Sequence, residues 1–137
     1  MLPILDLHNY GRFNQDGTEL LLGSEQLPYS ALANVWQRII DAMADRNYAV
    51  ALMNEPRDLP NPTQATPAAE WEIGSNAVVN DLRTAGYTGQ LIVGGYEWSK
   101  LQKWTQNHDD AWINDPHNNT IYEAHHYWDE GSRGIYE

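Results

Sequence analysis

Apolar residues in the chain fall into four short runs, at residues 4–7, 49–53, 91–93 and 121–124. Each run is bounded by polar residues, Gly or Pro and is too short for a stable helix, so we predict four strands. The segments between the runs are long enough for a helix that crosses from one strand to the next.

One of these segments has clear helical periodicity. Residues 29–46 place six apolar side chains on one helix face, at i, i+3, i+4, i+7, i+8 and i+11: Leu32, Val35, Trp36, Ile39, Ile40 and Met43. A second helix is predicted at residues 67–85, because Pro67 suits a helix start and Gly86 suits a helix stop. A third, weaker helical segment lies near Leu101.

Alternation of strand and helix predicts an α/β fold with a parallel sheet and right-handed crossovers. The chain of 137 residues has the length of one domain. A closed (β/α)8 TIM barrel typically needs about 250 residues. We therefore expect a single domain over residues 1–137 that forms about half of such a barrel, left open.

Charge and composition narrow the class of partner. With 19 acidic and 8 basic residues, the chain has a formal net charge of −11, which argues against nucleic acid or an anionic membrane surface. It has no cysteine, which excludes disulfides and thiolate zinc sites. Six Trp and eight Tyr beside one Phe suit a surface that binds a polar ring such as a sugar. No apolar run reaches the about 18 residues of a membrane span.

Polar and aromatic residues follow each predicted strand, in the segments LDLHN, LMNEP, GGYEW and EAHHYWD. In a parallel α/β sheet, ligands bind at the carboxyl ends of the strands. Glu55 stands there between Asn54 and Pro56, where a carboxyl group held partly out of water can act as a general acid. The alternative is an exposed loop glutamate.

Strand alternation assigns the neighbouring side chains to faces. Asp6 and His8 share one face, where they either contribute to the site or satisfy one another. Glu123, His125 and Tyr127 share a face, so His125 is the histidine that we expect in the site, whereas His126 points away.

Two indole rings follow strands closely enough to stack on a pyranose. Trp98 and Trp128 are these candidate sugar platforms, although a tryptophan is more often part of a core. Trp36 and Trp104 suit helix packing instead.

In this order, "ILDLHNYGRF", "LMNEPRD" and "IYEAHHYWD" resemble the family 5 glycoside hydrolases, specifically their endo-β-1,4-glucanases. The resemblance runs from the third barrel strand to just past the sixth. It implies that Glu55 is the catalytic acid/base and that Asn54 binds the sugar 2-hydroxyl. His8 then contacts the −1 sugar, and Trp98 lines the cleft. His125 lies near the acid/base, and Tyr127 bonds the nucleophile.

Retaining glycosidases need two carboxyl groups about 5 to 5.5 Å apart, and the resemblance puts the nucleophile on the seventh strand, beyond this sequence. Glu123 is expected about 7 Å deeper along its strand, and Glu97 and Glu130 on loops, so none is a convincing substitute. We therefore expect hydrolysis of a β-1,4-glucan by the parent enzyme, without cofactor or metal, and no activity of this chain alone.

The sequence is also consistent with three other hypotheses about the function of the chain. The chain could be a non-catalytic sugar-binding module that uses Trp98, Trp128 and His8, or a family member acting on another β-glycan such as mannan. A metal-dependent hydrolase built on Asp6, His8 and His125 is a third possibility. The N-terminus lacks signal-peptide features, so the chain is not exported or its true start is missing; the resemblance implies an extracellular parent.

Overall fold

The structure is a computed structural model that describes residues 2–44, 46–63 and 66–128. Ten elements follow one another in these residues: β1 (Ile4–Asp6), β2 (Arg12–Gln15), β3 (Thr18–Leu21), α1 (Tyr29–Ala42), β4 (Ala49–Ala51), α2 (Pro67–Thr84), β5 (Leu91–Gly94), a 3-10 turn (Leu101–Lys103), α3 (Trp104–Asn107) and β6 (Thr120–Glu123). Strands β1, β4, β5 and β6 form one parallel sheet in that spatial order. The predicted open, parallel α/β sheet is confirmed.

The two faces of this sheet bury different sets of residues. Leu5, Leu7, Val50 and Val93 face the helices and join the main core with Trp36 and Trp71. The opposite face carries a small separate cluster of three residues, Ala49, Ala51 and Ile92. This division follows from strand alternation, which sends successive side chains to opposite faces.

Two indole groups tie the helices to the strand ends. Trp36 on α1 donates its Nε1 hydrogen to the carbonyl of Leu52 (2.9 Å), and Trp71 on α2 donates to the carbonyl of Gly94 (2.8 Å). Both indoles are buried, so each bond satisfies a donor that burial would otherwise penalise. The bonds fix the chain where it leaves β4 and β5.

Strict alternation of strand and helix was wrong in one place. After β1 the chain forms an antiparallel hairpin, in which β2 pairs with β3. The hairpin turns at Asp16 and Gly17, whose φ angles of 52° and 86° are those of a tight two-residue turn. The dipeptide Asp-Gly between polar and apolar residues is a strong hairpin signal, which a search for apolar runs alone does not detect.

Element boundaries differ from the predictions by a few residues. Helix α1 ends at Ala42 rather than at residue 46, and the predicted strand at 49–53 ends at Ala51. Helix α2 begins at Pro67 as predicted, and the Thr66 hydroxyl caps it by accepting from the Ala69 amide. Among the described residues, no helix combines the length and apolarity needed to cross a membrane.

Candidate functional site

The site lies at the carboxyl ends of the parallel strands, where the chain turns out of the sheet. Glu55 follows β4 with a left-handed backbone (φ 46°), a conformation that costs a non-glycine residue free energy and must be held by its surroundings. Two backbone hydrogen bonds hold this segment. The backbone N–H of Asn54 donates to the Leu7 carbonyl, and the backbone N–H of Glu97 donates to the Pro56 carbonyl. The turn is therefore fixed by its neighbours on both sides.

Glu55 is the centre of a hydrogen-bonded cluster. Nδ1 of His125 lies 2.8 Å from Oε1 of Glu55, and the hydroxyl of Tyr127 donates to the same oxygen over 3.4 Å. On its other side, Nε2 of His125 lies 2.9 Å from Oε1 of Glu123. The Glu55 side chain is 13% exposed, so it is partly out of water as expected. The predicted shared face of Glu123, His125 and Tyr127 accounts for this convergence.

A second pair of bonds joins β1 to β4 at the same edge. His8 donates from Nδ1 to the carboxylate of Asp6 (2.9 Å), and the Asn54 side-chain amide donates to Nε2 of His8 (3.3 Å). Asp6 thus satisfies His8, which is one of the two arrangements predicted for this pair. Asn54, which is buried and directly precedes Glu55, therefore links His8 to the segment that carries Glu55.

Trp98 occupies a strained turn after β5. Glu97, Trp98 and Ser99 all have left-handed backbones, with φ between 53° and 63°. The Ser99 carbonyl accepts from the His125 amide, and the Ser99 hydroxyl donates to the Gly95 carbonyl. This turn holds the half-buried Trp98 ring at the edge of the sheet.

The Trp98 ring is in contact with cations. The Arg57 guanidinium lies 5.4 Å from its centroid and 5.3 Å from that of Tyr10, and Nζ of Lys100 lies 4.7 Å from the Trp98 centroid. We did not predict Arg57 or Tyr10 as site residues. The signal was present, since both lie within the motifs "HNYGRF" and "NEPRD" that mark the strand ends.

Trp128, Trp36 and Trp104 differ in how far they are exposed and in what they contact. Trp128 is 84% exposed, and its ring contacts His126 at 4.6 Å between centroids, away from the face that His125 uses. Trp36 is buried in the core as predicted. Trp104 packs on His108, Trp112 and Tyr122, which fits its predicted packing role. A sugar-stacking role for Trp128 stays a prediction.

The charge of His125 depends on its two carboxylate neighbours. Partial burial opposes the charged ring, but the hydrogen bonds to Glu123 and Glu55 outweigh it and hold the pKa of His125 above its ordinary value. The two carboxylates therefore make the imidazolium form of His125 more favourable than that of an ordinary histidine.

A metal site built on Asp6, His8 and His125 is one of the alternatives predicted from the sequence. Across residues 2–44, 46–63 and 66–128, no three His, Asp or Glu side chains are grouped so that they could hold a metal ion. Asp6 and His8 bond to each other, and both ring nitrogens of His125 face carboxylates. Glu130, the remaining acid considered as a nucleophile, lies outside the described residues.

The sequence matches the family model described as cellulase (glycosyl hydrolase family 5) over residues 1–134. The chain belongs to glycosyl hydrolase family 5. It is 30% identical over 141 residues to "Endoglucanase 1" of Saitozyma flava, with 97% of this chain and 38% of that protein covered.

Solved structures agree with this family assignment. The structure is similar to Pseudomonas stutzeri endoglucanase Cel5A in complex with cellobiose, with 31% identity, a TM-score of 0.80, and 98% of this chain and 38% of that chain covered. It is also similar to XacCel5A in complex with cellopentaose, with 26% identity, a TM-score of 0.76, and coverage of 98% and 42%. The chain thus spans about two-fifths of the length of these family 5 relatives, and its open sheet corresponds to part of their TIM barrel.

Proposed function

We propose that this chain supplies the acid/base half of a retaining endo-β-1,4-glucanase site, with Glu55 as the proton donor. One observation carries the proposal: the Glu55 carboxyl group, which is mostly buried, bonds to His125 and Tyr127 at the carboxyl edge of the sheet. Family membership and the cello-oligosaccharides named for two related structures support a β-1,4-glucan as substrate. The parent enzyme is expected to act outside the cell.

In this mechanism Glu55 works twice. Its carboxyl group first protonates the glycosidic oxygen while a nucleophilic carboxylate attacks the anomeric carbon, and the leaving sugar departs. Its carboxylate then takes a proton from the water that releases the covalent intermediate, which restores the acid. No metal or cofactor enters either step.

The neighbouring residues bind and orient the sugar. Asn54 is proposed to bond the 2-hydroxyl, because its side-chain amide is already oriented by His8. His8 is 65% exposed and is proposed to contact the −1 sugar. Trp98 is proposed to line the cleft, and the cation–π contacts with Arg57 and Lys100 hold its ring in place. Trp128 is proposed to provide a second, more distant surface on which a sugar can stack. Tyr127 is proposed to form a hydrogen bond with the nucleophile, in addition to its hydrogen bond with Glu55.

The nucleophile is proposed to lie outside this chain. Glu123 bonds to His125 on the side opposite Glu55, so the histidine ring stands between the two carboxyl groups where a retaining mechanism needs the scissile bond. We therefore expect no hydrolysis of carboxymethylcellulose by this chain alone. Turnover that Glu55→Gln abolishes would contradict this expectation.

A graft into a complete relative tests the role of Glu55. Residues 1–128 would replace the matching segment of the Pseudomonas stutzeri endoglucanase, whose own remaining strands complete the barrel. We expect Glu55→Gln in the graft to lower kcat/KM on cello-oligosaccharides by roughly 10²–10⁴-fold, the usual contribution of a general acid. On an aryl cellobioside with an acidic leaving group, Glu55→Gln should lower the rate of the first step far less, because such a leaving group departs without being protonated.

Glu97→Gln is the matched control, since Glu97 lies at the same edge but bonds to Asn107 and Lys103. It should leave both substrates nearly unaffected. An equal loss for both substrates in Glu55→Gln would overturn the acid/base assignment. Binding of cello-oligosaccharides by the graft without any hydrolysis would favour the sugar-binding module instead.

A further inference from the structure

His125 lies between two carboxylates, and the proposed mechanism uses only one of them. Its Nδ1 faces Glu55 at 2.8 Å, and its Nε2 faces Glu123 at 2.9 Å. The backbone of His125 is held as well, because its amide donates to the Ser99 carbonyl and its carbonyl accepts from the Leu101 amide. The ring therefore has a defined position between the two acids.

Each of the two nitrogen–oxygen contacts requires a proton. A carboxylate only accepts hydrogen bonds, and a neutral imidazole has one donor and one acceptor nitrogen. With the ring neutral and both acids ionised, one contact would set a lone pair against a negative oxygen. The three groups satisfy both contacts only when they share two protons: an imidazolium between two carboxylates, or a neutral ring with one acid protonated.

Solvent exposure decides which acid takes the second proton. The side chain of Glu123 is 40% exposed, whereas that of Glu55 is 13% exposed. Water stabilises the ionised form of Glu123 better, because burial penalises a charge. The geometry therefore favours an arrangement in which a neutral ring shares the second proton with the less exposed Glu55 through Nδ1 and keeps its own proton on Nε2, bonded to Glu123.

We propose that Glu123 is a positioning residue that keeps a proton on Nε2 of His125 and leaves Nδ1 to exchange a single proton with the Glu55 carboxyl group. The proposal rests on the assignment of Glu55 as the acid. In the exchange, the bond from Nδ1 to hydrogen breaks and a bond from Oε1 of Glu55 to hydrogen forms. The ring and Glu55 both become neutral, Glu123 stays ionised, and the net charge of the three groups does not change.

This exchange prepares Glu55 for its first task. The ring stores the proton while Glu55 is ionised and returns it when the site needs a carboxylic acid. Among the described residues, Glu55, Glu123 and Tyr127 are titratable groups that contact the ring or its Glu55 partner. The raised pKa of His125, in which burial is outweighed first by Glu123 and then by Glu55, agrees with a ring that readily holds the stored proton.

Nuclear magnetic resonance of the imidazole nitrogens tests the proposal on the full 137-residue chain, without substrate and at a protein concentration low enough to limit association of the chains. Long-range nitrogen–hydrogen couplings report which nitrogen is protonated, and a His125→Gln variant assigns the signals among the five histidines. In the wild type we expect the neutral ring of His125 to carry its proton on Nε2. In Glu123→Gln we expect the proton to move to Nδ1, where the Glu55 carboxylate is then the stronger acceptor, and the pKa of His125 to fall.

Two further variants separate this role from a merely structural one. Glu123→Asp keeps the carboxylate and should retain the Nε2 proton, and Glu97→Gln, which removes an equal charge at the same edge, should change neither the tautomer nor the titration. Protonation on Nδ1 in the wild type would overturn the proposal, and this result needs no variant to fold. An unchanged tautomer in folded Glu123→Gln would overturn it as well.

The outcome is independent of the test of Glu55. If the graft hydrolyses cello-oligosaccharides without Glu55, the proposed function fails even when the tautomer is as expected. If Glu55→Gln abolishes the acid-dependent step but the tautomer of His125 is the same with and without the Glu123 carboxylate, only the positioning role fails. In the graft, Glu123→Gln should also narrow the pH–kcat/KM profile on its alkaline side, whereas a structural defect would lower it at every pH.

Discussion

Arg83 shows at the residue scale how the fold is held at the end away from the site. Its guanidinium bonds to Asp115 through Nε and Nη2, at 2.8 and 2.9 Å, and to the carbonyls of Tyr87 and Gly89 through Nη1. The side chains of Arg83 and Asp115 are 1% and 4% exposed. These bonds join the end of α2 to the segments that lead into β5 and β6.

Loss of one partner of this pair should therefore be costly. Arg83→Met is expected to lower the free energy of unfolding by about 3–5 kcal/mol, because it leaves the Asp115 charge buried and uncompensated. Arg38→Met, on the exposed side of α1, should cost less than about 0.5 kcal/mol. Urea unfolding of both variants measures the difference. Similar costs for both would show that the buried pair does not hold the fold.

The same pair predicts an acid limb of stability. The hydrogen bonds from Arg83 outweigh burial, and with those from His117, Asn119 and Thr120 they hold the pKa of Asp115 well below its usual range. The folded-state pKa is lowered, so the contribution is complete above the ordinary aspartate pKa of about 3.9 and is lost as the pH falls below it. Urea titrations between neutral and acid pH should show this loss, and Asp115→Asn should show a smaller slope.

At the scale of elements, α1 and α2 meet through a glycine. A Cβ atom at Gly74 would stand 2.2 Å from the ring of Tyr29, so the close approach of the helices requires the missing side chain. In an exposed helix, Gly→Ala stabilises by about 1 kcal/mol. Here we expect Gly74→Ala to destabilise the fold by about 1–3 kcal/mol, because the ring or the helix must move.

A double-mutant cycle tests this contact. Tyr29→Ala removes the ring, so the added cost of Gly74→Ala should shrink or change sign in its presence. Asp81→Ala, at an exposed position of the same helix, should change stability by less than about 0.5 kcal/mol. Thermal or urea unfolding of the wild type, the two single variants and the double variant measures the coupling between Gly74 and Tyr29. Additive losses of stability would argue against a clash with Tyr29.

At the scale of the whole molecule, each outer strand of the open sheet has a strand partner on only one side among the described residues. β1 and β6 lie at the two edges of the sheet, and large apolar side chains are exposed on them, with Ile4 58% and Ile121 46% exposed. Unpaired strand edges with apolar side chains pair readily with other chains. We expect the isolated chain to be poorly soluble and to associate through these edges.

Charge placed on one edge should reduce this association. Ile4→Lys is expected to increase the monomer fraction in sedimentation velocity runs over a range of concentrations, because a lysine on an edge strand opposes pairing. Leu101→Lys is the matched control, since Leu101 is 54% exposed but lies in a helical turn. If both variants have the same effect, general surface polarity rather than the strand edge governs association.

Much of the architecture follows from local patterns. The apolar runs located all four strands of the parallel sheet, and the helical stripe located α1, because these periods depend only on which side chains face the core. The alternation rule also selected His125 over His126, since neighbouring strand residues face opposite sides. Family membership followed from three motifs at the strand ends and is confirmed by the match over residues 1–134.

Other features depended on contacts between distant parts of the chain. Strand alternation placed Glu123 and His125 on one face, but only the resemblance to the family implied that the ring also lies near Glu55, 70 residues earlier. Arg57 could not be assigned to the rings of Tyr10 and Trp98, nor Arg83 to Asp115, because their separations along the chain say nothing of their separation in space. Side-chain types and their periods are local properties that predict most of the elements, whereas only the packed sheet decides which side chains meet around Glu55.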